Sequence, residues 1–263
     1  MRRYSLIFLC MTTIYAADVD EPMKDIGNVE PRIVNGEEAQ EGQLPWQVGI
    51  LGRTVDGSAF FCGGALISEE WVLTAGHCVD GIKTAAIYSG ATKLSSPNRT
   101  TSQGAIFVLH EDYDHRTLQN DIGLIQLRAP LTFDDKTSAI ALASDELETG
   151  VNVTVSGWGQ TSDSDTSTSD ALNYITVSTI SNSDCAIYYG SVVGPGTVCT
   201  SAGNPLKSPC LGDSGGPVVT NITEPLLVAV FSFVNGYGCE LPYPAGNTRT
   251  AYYRDWIRNK TEI

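Results

Sequence analysis

Three short motifs, far apart in this chain of 263 residues, carry side chains that could act together in nucleophilic catalysis. Ser214 lies in Gly212-Asp213-Ser214-Gly215-Gly216-Pro217, His77 in Leu73-Thr74-Ala75-Gly76-His77-Cys78, and Asp121 in Asn120-Asp121-Ile122-Gly123-Leu124-Ile125. A serine hydroxyl is a poor nucleophile at neutral pH and needs a base within hydrogen-bonding reach. Imidazole, whose ordinary pKa lies near ~6.5, suits that task. A third group must then hold the ring in one tautomer, and a carboxylate at the head of an apolar run offers it. Read singly, a serine in a glycine-rich turn is a turn residue, and an aspartate before Ile-Gly-Leu-Ile is a strand-start cap. Their joint occurrence in the order His77, Asp121, Ser214 points to catalysis instead.

These motifs, in this order, resemble the trypsin/chymotrypsin family of serine endopeptidases. Further marks are Pro45-Trp46-Gln47-Val48, Cys62-Gly63-Gly64-Ala65-Leu66-Ile67, Gly157-Trp158-Gly159 and Ser232-Phe233, so the resemblance covers nearly all of residues 33–263. It implies that Ser214 is the nucleophile, His77 the general base and then acid, and Asp121 the group that orients His77. The amides of Gly212 and Ser214 would form the oxyanion hole. The segment Ile180-Ser181-Asn182-Ser183-Asp184-Cys185, with Gly238-Cys239-Glu240 and Tyr243-Pro244, looks most like arthropod chymotrypsin- and collagenase-like digestive proteases. The chain departs from the family pattern in places. Gly76 and Gly123 stand where alanine is usual and are expected to loosen the backbone beside two members of the triad. Asn247-Thr248-Arg249-Thr250 replaces a more apolar stretch.

The elements that must hold these residues read as strands. Short runs rich in Val, Ile, Phe, Tyr and Thr, at 46–51, 65–74, 105–109, 122–127, 151–157, 172–180, 216–220 and 226–233, alternate with Gly, Ser, Asp and Pro clusters. A helical pattern is visible at 252–259, with Trp256 and Ile257 inward. This is an all-β sandwich or barrel pattern, which the resemblance narrows to two antiparallel six-stranded β-barrels with a short C-terminal helix and the site in the cleft between them. The first barrel is expected at about 33–130, a crossover at about 131–150, and the second barrel with the helix at about 151–263. The polar, low-complexity stretch 161–170 reads as a mobile surface loop. His110 and His115, among acids, read as an exposed loop rather than a zinc site, and no metal or cofactor is expected.

Residues 1–17 read as a secretory signal peptide: Arg2-Arg3 precede an apolar run that is too short to span a membrane, and small residues follow at Ala16-Ala17. Of seven cysteines, Cys10 leaves with the signal; the remaining six allow 15 pairings. The resemblance implies Cys62–Cys78, Cys185–Cys199 and Cys210–Cys239, and an oxidising compartment suits them. Four N-x-Thr triplets begin at Asn98, Asn152, Asn221 and Asn259; Asn98 and Asn221 are the glycosylation candidates, since Asn152 sits in an apparent strand. The formal charge is −14 at pH 7, with no basic patch. Nucleic acid and anionic membranes are therefore not expected partners. Protein or peptide substrates are, along with protein protease inhibitors, and the chain is expected to be a secreted monomer.

Residues 18–32 form an acidic, polar segment that ends at Pro31-Arg32, before Ile33-Val34-Asn35-Gly36. By resemblance this is an activation propeptide, cut after Arg32 by a trypsin-like protease. The freed Ile33 ammonium would pair with Asp213 and order the backbone around Gly212 and Ser214. Specificity is read the same way. Ser208 stands where trypsin-like members carry an aspartate at the base of the primary pocket, so a basic substrate side chain would be left unpaired. Ser232, Val234 and Ala245 would line that pocket, and Val234 intrudes as in elastases, which favours small to medium aliphatic residues at P1. The alternatives are a chymotrypsin-like preference for aromatic residues or leucine, a narrow-specificity cascade protease, and a catalytically silent homologue acting as a binding module.

Overall fold

Residues Asn173–Ile180 show how the sheets arise: Asn173, Ile175, Val177 and Thr179 are buried, and the residues between them are half-buried. This period of two belongs to a strand with one face on a core. The computed structural model describes residues 33–263. The expected signal peptide 1–17, the propeptide 18–32 and Arg32 lie outside the described residues.

The elements, in chain order, are β1 (Glu37–Glu38), β2 (Gln47–Thr54), β3 (Ala59–Leu66), β4 (Trp71–Thr74), β5 (Ile82–Ser89), β6 (Thr100–Leu109) and β7 (Gly123–Leu127). The second half holds β8 (Ala141–Leu142), β9 (Asn152–Gly157), β10 (Asn173–Ile180), helix α1 (Asn182–Tyr189), β11 (Thr197–Thr200), β12 (Pro217–Thr220), β13 (Leu226–Phe233), β14 (Ala245–Arg249) and helix α2 (Arg254–Thr261). One closed barrel runs β2-β3-β4-β7-β6-β5. The other runs β9-β10-β11-β14-β13-β12 and closes on β9 through the β12–β9 and β9–β10 ladders. The fold is thus two six-stranded antiparallel barrels with a C-terminal helix. In the connection between them, β8 adds to β13 in parallel.

Each barrel has an apolar core: Val48, Ile50, Val72, Ile87 and Ile125 in the first, Val153, Val155, Ile175, Val177 and Val218 in the second. A third cluster joins them, with Trp46, Leu73 and Leu124 packed against Val219, Leu227 and Val230. The chain ends are exchanged across this seam. Ile33 is fully buried in the second-barrel core, and β1 pairs with β10. Helix α2 reaches the other way: Ile257 enters the joining cluster, while Trp256 Nε1 donates 2.8 Å to Glu111 Oε2 after β6.

Several elements differ from the strand pattern read in the sequence. The expected strand 65–74 is the end of β3, a turn capped by Ser68 Oγ on the Glu70 and Trp71 amides, and β4. β14 (AGNTR) has few strand-forming side chains, yet it is buried throughout because β11 and β13 pair on either side of it. Helix α1 starts where Ser181 Oγ caps the Asp184 amide and ends at Gly190. The expected helix at 252–259 is α2, preceded by a 3-10 turn at Ala251–Tyr253.

Candidate active site

The turn after β4 carries His77 and the approach to β7 carries Asp121; β4 and β7 are paired neighbours, so the two residues face each other. His77 Nδ1 lies 2.8 Å from Asp121 Oδ2, and the His77 backbone N–H donates 2.8 Å to Oδ1. Ser232 Oγ, from the opposite barrel, donates to the same Oδ2 at 2.5 Å. Thr248 Oγ1 donates to the Asp121 carbonyl at 2.7 Å. Burial alone would raise the Asp121 pKa, but the charge and hydrogen bonds of His77, with the Ser232 bond, outweigh it and hold the carboxyl below its usual range. Gly76 makes room for this approach: a Cβ there would sit 3.1 Å from Asp121 Oδ1 and 2.9 Å from the Ile122 amide nitrogen. A Cβ at Gly123 would lie 2.4 Å from Val79 Cγ2. Neighbouring groups occupy the space of both missing methyls, so these two glycines let the backbone pack more closely around the aspartate.

Ser214 arrives from the second barrel on the turn before β12. Its carbonyl accepts from Gly63 N–H at 2.7 Å, and Cys78 Sγ touches it at 3.6 Å, beside His77. Gly215 is what allows this junction. Its φ is +77°, and a Cβ would fall 2.0 Å from Thr74 Oγ1 and 2.6 Å from the Gly63 oxygen. His77 Nε2 and Ser214 Oγ are both buried and both without a hydrogen-bond partner. Neither Gly212 nor Ser214 uses its backbone N–H on an acceptor among the described residues, whereas Asp213, Gly215 and Gly216 all do.

Asp213 turns its carboxylate onto the backbone of Gly157 and Gly159, where a Cβ on either glycine would meet it. It is fully buried, and its carboxylate accepts from the Gly159 N–H at 2.8 Å and the Cys210 N–H at 2.9 Å. Burial pushes its pKa up to about 7, with those two amides pulling the other way. Ile33 and Val34 are buried in the same barrel, and Val34 bridges to Ser208.

The three disulfides are Cys62–Cys78, Cys185–Cys199 and Cys210–Cys239. The first ties the His77 turn to β3; the third ties the Ser214 approach to the segment after β13. Ser208 is buried, and its Oγ donates to the Pro209 carbonyl at 2.9 Å. Lys207, the next residue back, turns outward, its Nζ 4.0 Å from Glu37. Val234 is half-buried against Val34 and the Cys210–Cys239 bridge, and Ala245 is buried at the start of β14.

Three features went unseen in the sequence or differ from their reading. Ser232, read as pocket lining, spends its hydroxyl on Asp121. His110 does not stand in an exposed loop but packs on Tyr253 and Trp256, with ring centroids 5.3 and 5.0 Å away. The polar stretch 161–170 is tied down rather than free: Ser169 N–H bonds the Trp158 carbonyl, and Asp170 takes the Ser95 amide and hydroxyl. No pattern in the sequence signals these contacts, because each joins residues more than ten positions apart through tertiary packing.

Comparison with known proteins agrees with this geometry. The Trypsin family model matches residues 33–257. Brachyurin of Leptuca pugilator is 39% identical over 234 residues, covering 88% of this chain and 99% of that protein. Collagenase of Hypoderma lineatum is 37% identical, covering 89% of each. Trypsin-1 of Astacus astacus is 34% identical over 86% of this chain and 98% of its own length. A solved structure of HL collagenase superposes with a TM-score of 0.80 at 34% identity, over 88% of this chain and 99% of that one.

Proposed function

Because this chain belongs to the trypsin family of serine endopeptidases, we propose that Ser214, His77 and Asp121 form its catalytic triad, in an exported zymogen that cleaves after small to medium apolar residues. One observation carries the triad: a buried row of bonds from Ser232 through Asp121 to His77 ends at an unpartnered Nε2, in the turn that Ser214 packs against. With Nδ1–H held by Asp121, Nε2 keeps a lone pair for the serine proton. Ser214 Oγ attacks the scissile carbonyl, His77 takes that proton and hands it to the departing amine, and water then releases the acyl group by the same route. The free N–H groups of Gly212 and Ser214 suit the oxygen as it becomes negative; one such donor is worth about 100- to 1000-fold in turnover.

Activation rests on Asp213. Its burial with only backbone donors, among the described residues, leaves a carboxyl that a cation would stabilise, and Ile33 already lies buried in the same barrel. A cut after Arg32 by a trypsin-like protease would supply that cation as the Ile33 ammonium. A signal peptide at 1–17, a propeptide at 18–32 and three disulfides support export. Among the described residues no helix is long and apolar enough to cross a membrane. Asn98 and Asn221 lie exposed in turns and suit glycosylation; Asn152 lies within β9, and Asn259 lies within α2 with Thr261 bonded back to Ile257.

For specificity, the buried Ser208 supplies no anion at the pocket base, and Val234 narrows the wall. The test uses proenzyme cut after Arg32 with trypsin, freed of trypsin, on matched peptides ending in Ala, Val, Leu, Phe, Tyr, Arg or Glu, beside a Ser214→Ala control. Preference for Ala or Val, lost in the control, is expected. Replacing Val234→Gly should move the preference toward Phe by roughly 10- to 200-fold. Preference for Phe or Tyr in the parent would overturn the reading of Val234, and for Arg that of Ser208.

A further inference from the structure

Asp163 sits in the polar stretch 161–170, which the proposed catalytic roles leave without a task. It is an exposed residue, yet its carboxylate is engaged across 76 positions of sequence. The Cys239 N–H donates to its Oδ1 at 2.6 Å and the Glu240 N–H to its Oδ2 at 3.3 Å. Glu240 returns the contact, accepting from the Asp163 N–H at 2.9 Å. Gly238 completes the seat. Its φ is +136°, and a Cβ would lie 2.3 Å from Asp163 Oδ2, so only glycine leaves room for the carboxylate.

The partners of this clamp matter because of where they lie. Cys239 closes the disulfide with Cys210, and the segment that ends at Cys239 begins at Val234, the proposed wall of the primary pocket, which packs on that bridge. The same stretch touches the other side of the site. Thr168 Cγ2 sits where a Cβ at Gly212 would be 3.1 Å away, and just before the stretch the Gln160 N–H bonds the Leu211 carbonyl at 2.7 Å. Among the described residues, no other side chain donates to or accepts from the amides of Cys239 and Glu240.

We propose that Asp163 is a positioning residue for substrate specificity: its carboxylate fixes the 234–240 wall through the Cys239 and Glu240 amides. This rests on the pocket assignment above. A charged acceptor for two backbone donors is among the stronger hydrogen-bonding arrangements, and a wall displaced by a fraction of an ångström alters the fit of every P1 side chain. Asp165, in the same stretch, is the natural control. Among the described residues its carboxylate bonds only Thr161, within the loop.

The experiment compares Asp163→Ala, Asp163→Asn and Asp165→Asn in the cut enzyme on the peptide panel. Asp163→Ala should raise KM about tenfold for the preferred apolar P1 peptides, change kcat far less, and flatten the ratio between Val and Phe. Asp163→Asn keeps an acceptor for the Cys239 N–H and should recover most of that ratio; Asp165→Asn should match the parent. An unchanged ratio in Asp163→Ala, an equal loss across all peptides, or the same effect from Asp165→Asn would overturn the proposal. Amide hydrogen exchange in the Ser214→Ala background reads the clamp without activity. Exchange at Cys239 and Glu240 should quicken at least tenfold in Asp163→Ala, and unchanged exchange overturns the clamp. A parent that favours Phe while these amides still respond would instead displace the Val234 reading and leave the clamp standing.

Discussion

Two aspartates of this molecule are equally buried and differently treated. Asp121 and Asp213 both have no solvent exposure. Around Asp121 the fold places an imidazole, a hydroxyl and a backbone N–H, and the carboxyl is held below its usual range. Around Asp213 it places two backbone N–H groups, and burial lifts the carboxyl to about 7. Asp121 is complete in the fold as it stands. Asp213, under the proposed activation, is a charge site whose counterion has still to arrive. Burial by itself thus says little about a carboxylate's state; the number and kind of donors decide it.

The sharpest way to break that contrast is to replace each carboxylate by its amide. Asp121→Asn should lower kcat by about 10⁴-fold with the fold intact, since an amide presents the wrong donor to His77 Nδ1. Kinetics on the cut enzyme, beside a circular dichroism spectrum, would show it; a loss of tenfold or less would remove Asp121 from its assigned role. Asp213→Asn should cost less, about 100- to 1000-fold, the worth of one disordered oxyanion donor. Full turnover by cut Asp213→Asn would mean that the Ile33 pairing does not order the site. Ser232→Ala removes one of the Asp121 donors and should cost about tenfold or less. It should also move the acid limb of kcat/KM, which pH profiles would report.

The smallest expected effect is on stability, and its pH dependence differs between the cut and uncut chains. In the uncut chain the Asp213 pKa is raised above its unfolded value, so its contribution is fully present below about pH 4 and is lost as pH rises towards 7. Under the proposed activation, cutting would supply an ammonium partner, lower the Asp213 pKa and remove that loss. In a Ser214→Ala background, the melting temperature of the cut form should therefore gain on the uncut form between pH 4 and pH 7, by several degrees. A gap that does not change with pH would show that no cation reaches Asp213.

Much of this was legible from residues alone, unevenly and for physical reasons. The motifs around His77, Asp121 and Ser214 could be read because each is contiguous, and the strands with alternating burial, such as β10, because period two is written along the chain. β14 could not be read that way: Ala-Gly-Asn-Thr-Arg becomes a strand only because β11 and β13 flank it. The hydroxyl of Ser232 and the carboxylate of Asp163 find partners 111 and 76 positions away, and no local rule reaches that far. Gly76 illustrates the opposite limit. A substitution that reads as loosening in sequence turns out to sit where a methyl would crowd the Asp121 carboxylate.

The exchange of chain ends across the seam has a consequence for the order in which the polypeptide is made. Tyr253 OH donates to Asn120 Oδ1 at 2.9 Å, and α2 fastens on Glu111, so the segment that braces the base of the Asp121 turn is translated after both barrels. Ile33, at the other extreme, has no barrel to enter until strands more than a hundred residues downstream have emerged. A nascent chain therefore carries its histidine and aspartate without the serine from residue 121 to residue 214, and then with the serine but without the brace. The braced set of histidine, aspartate and serine is thus the last arrangement the growing polypeptide completes, and the proposed cut after Arg32 comes later still.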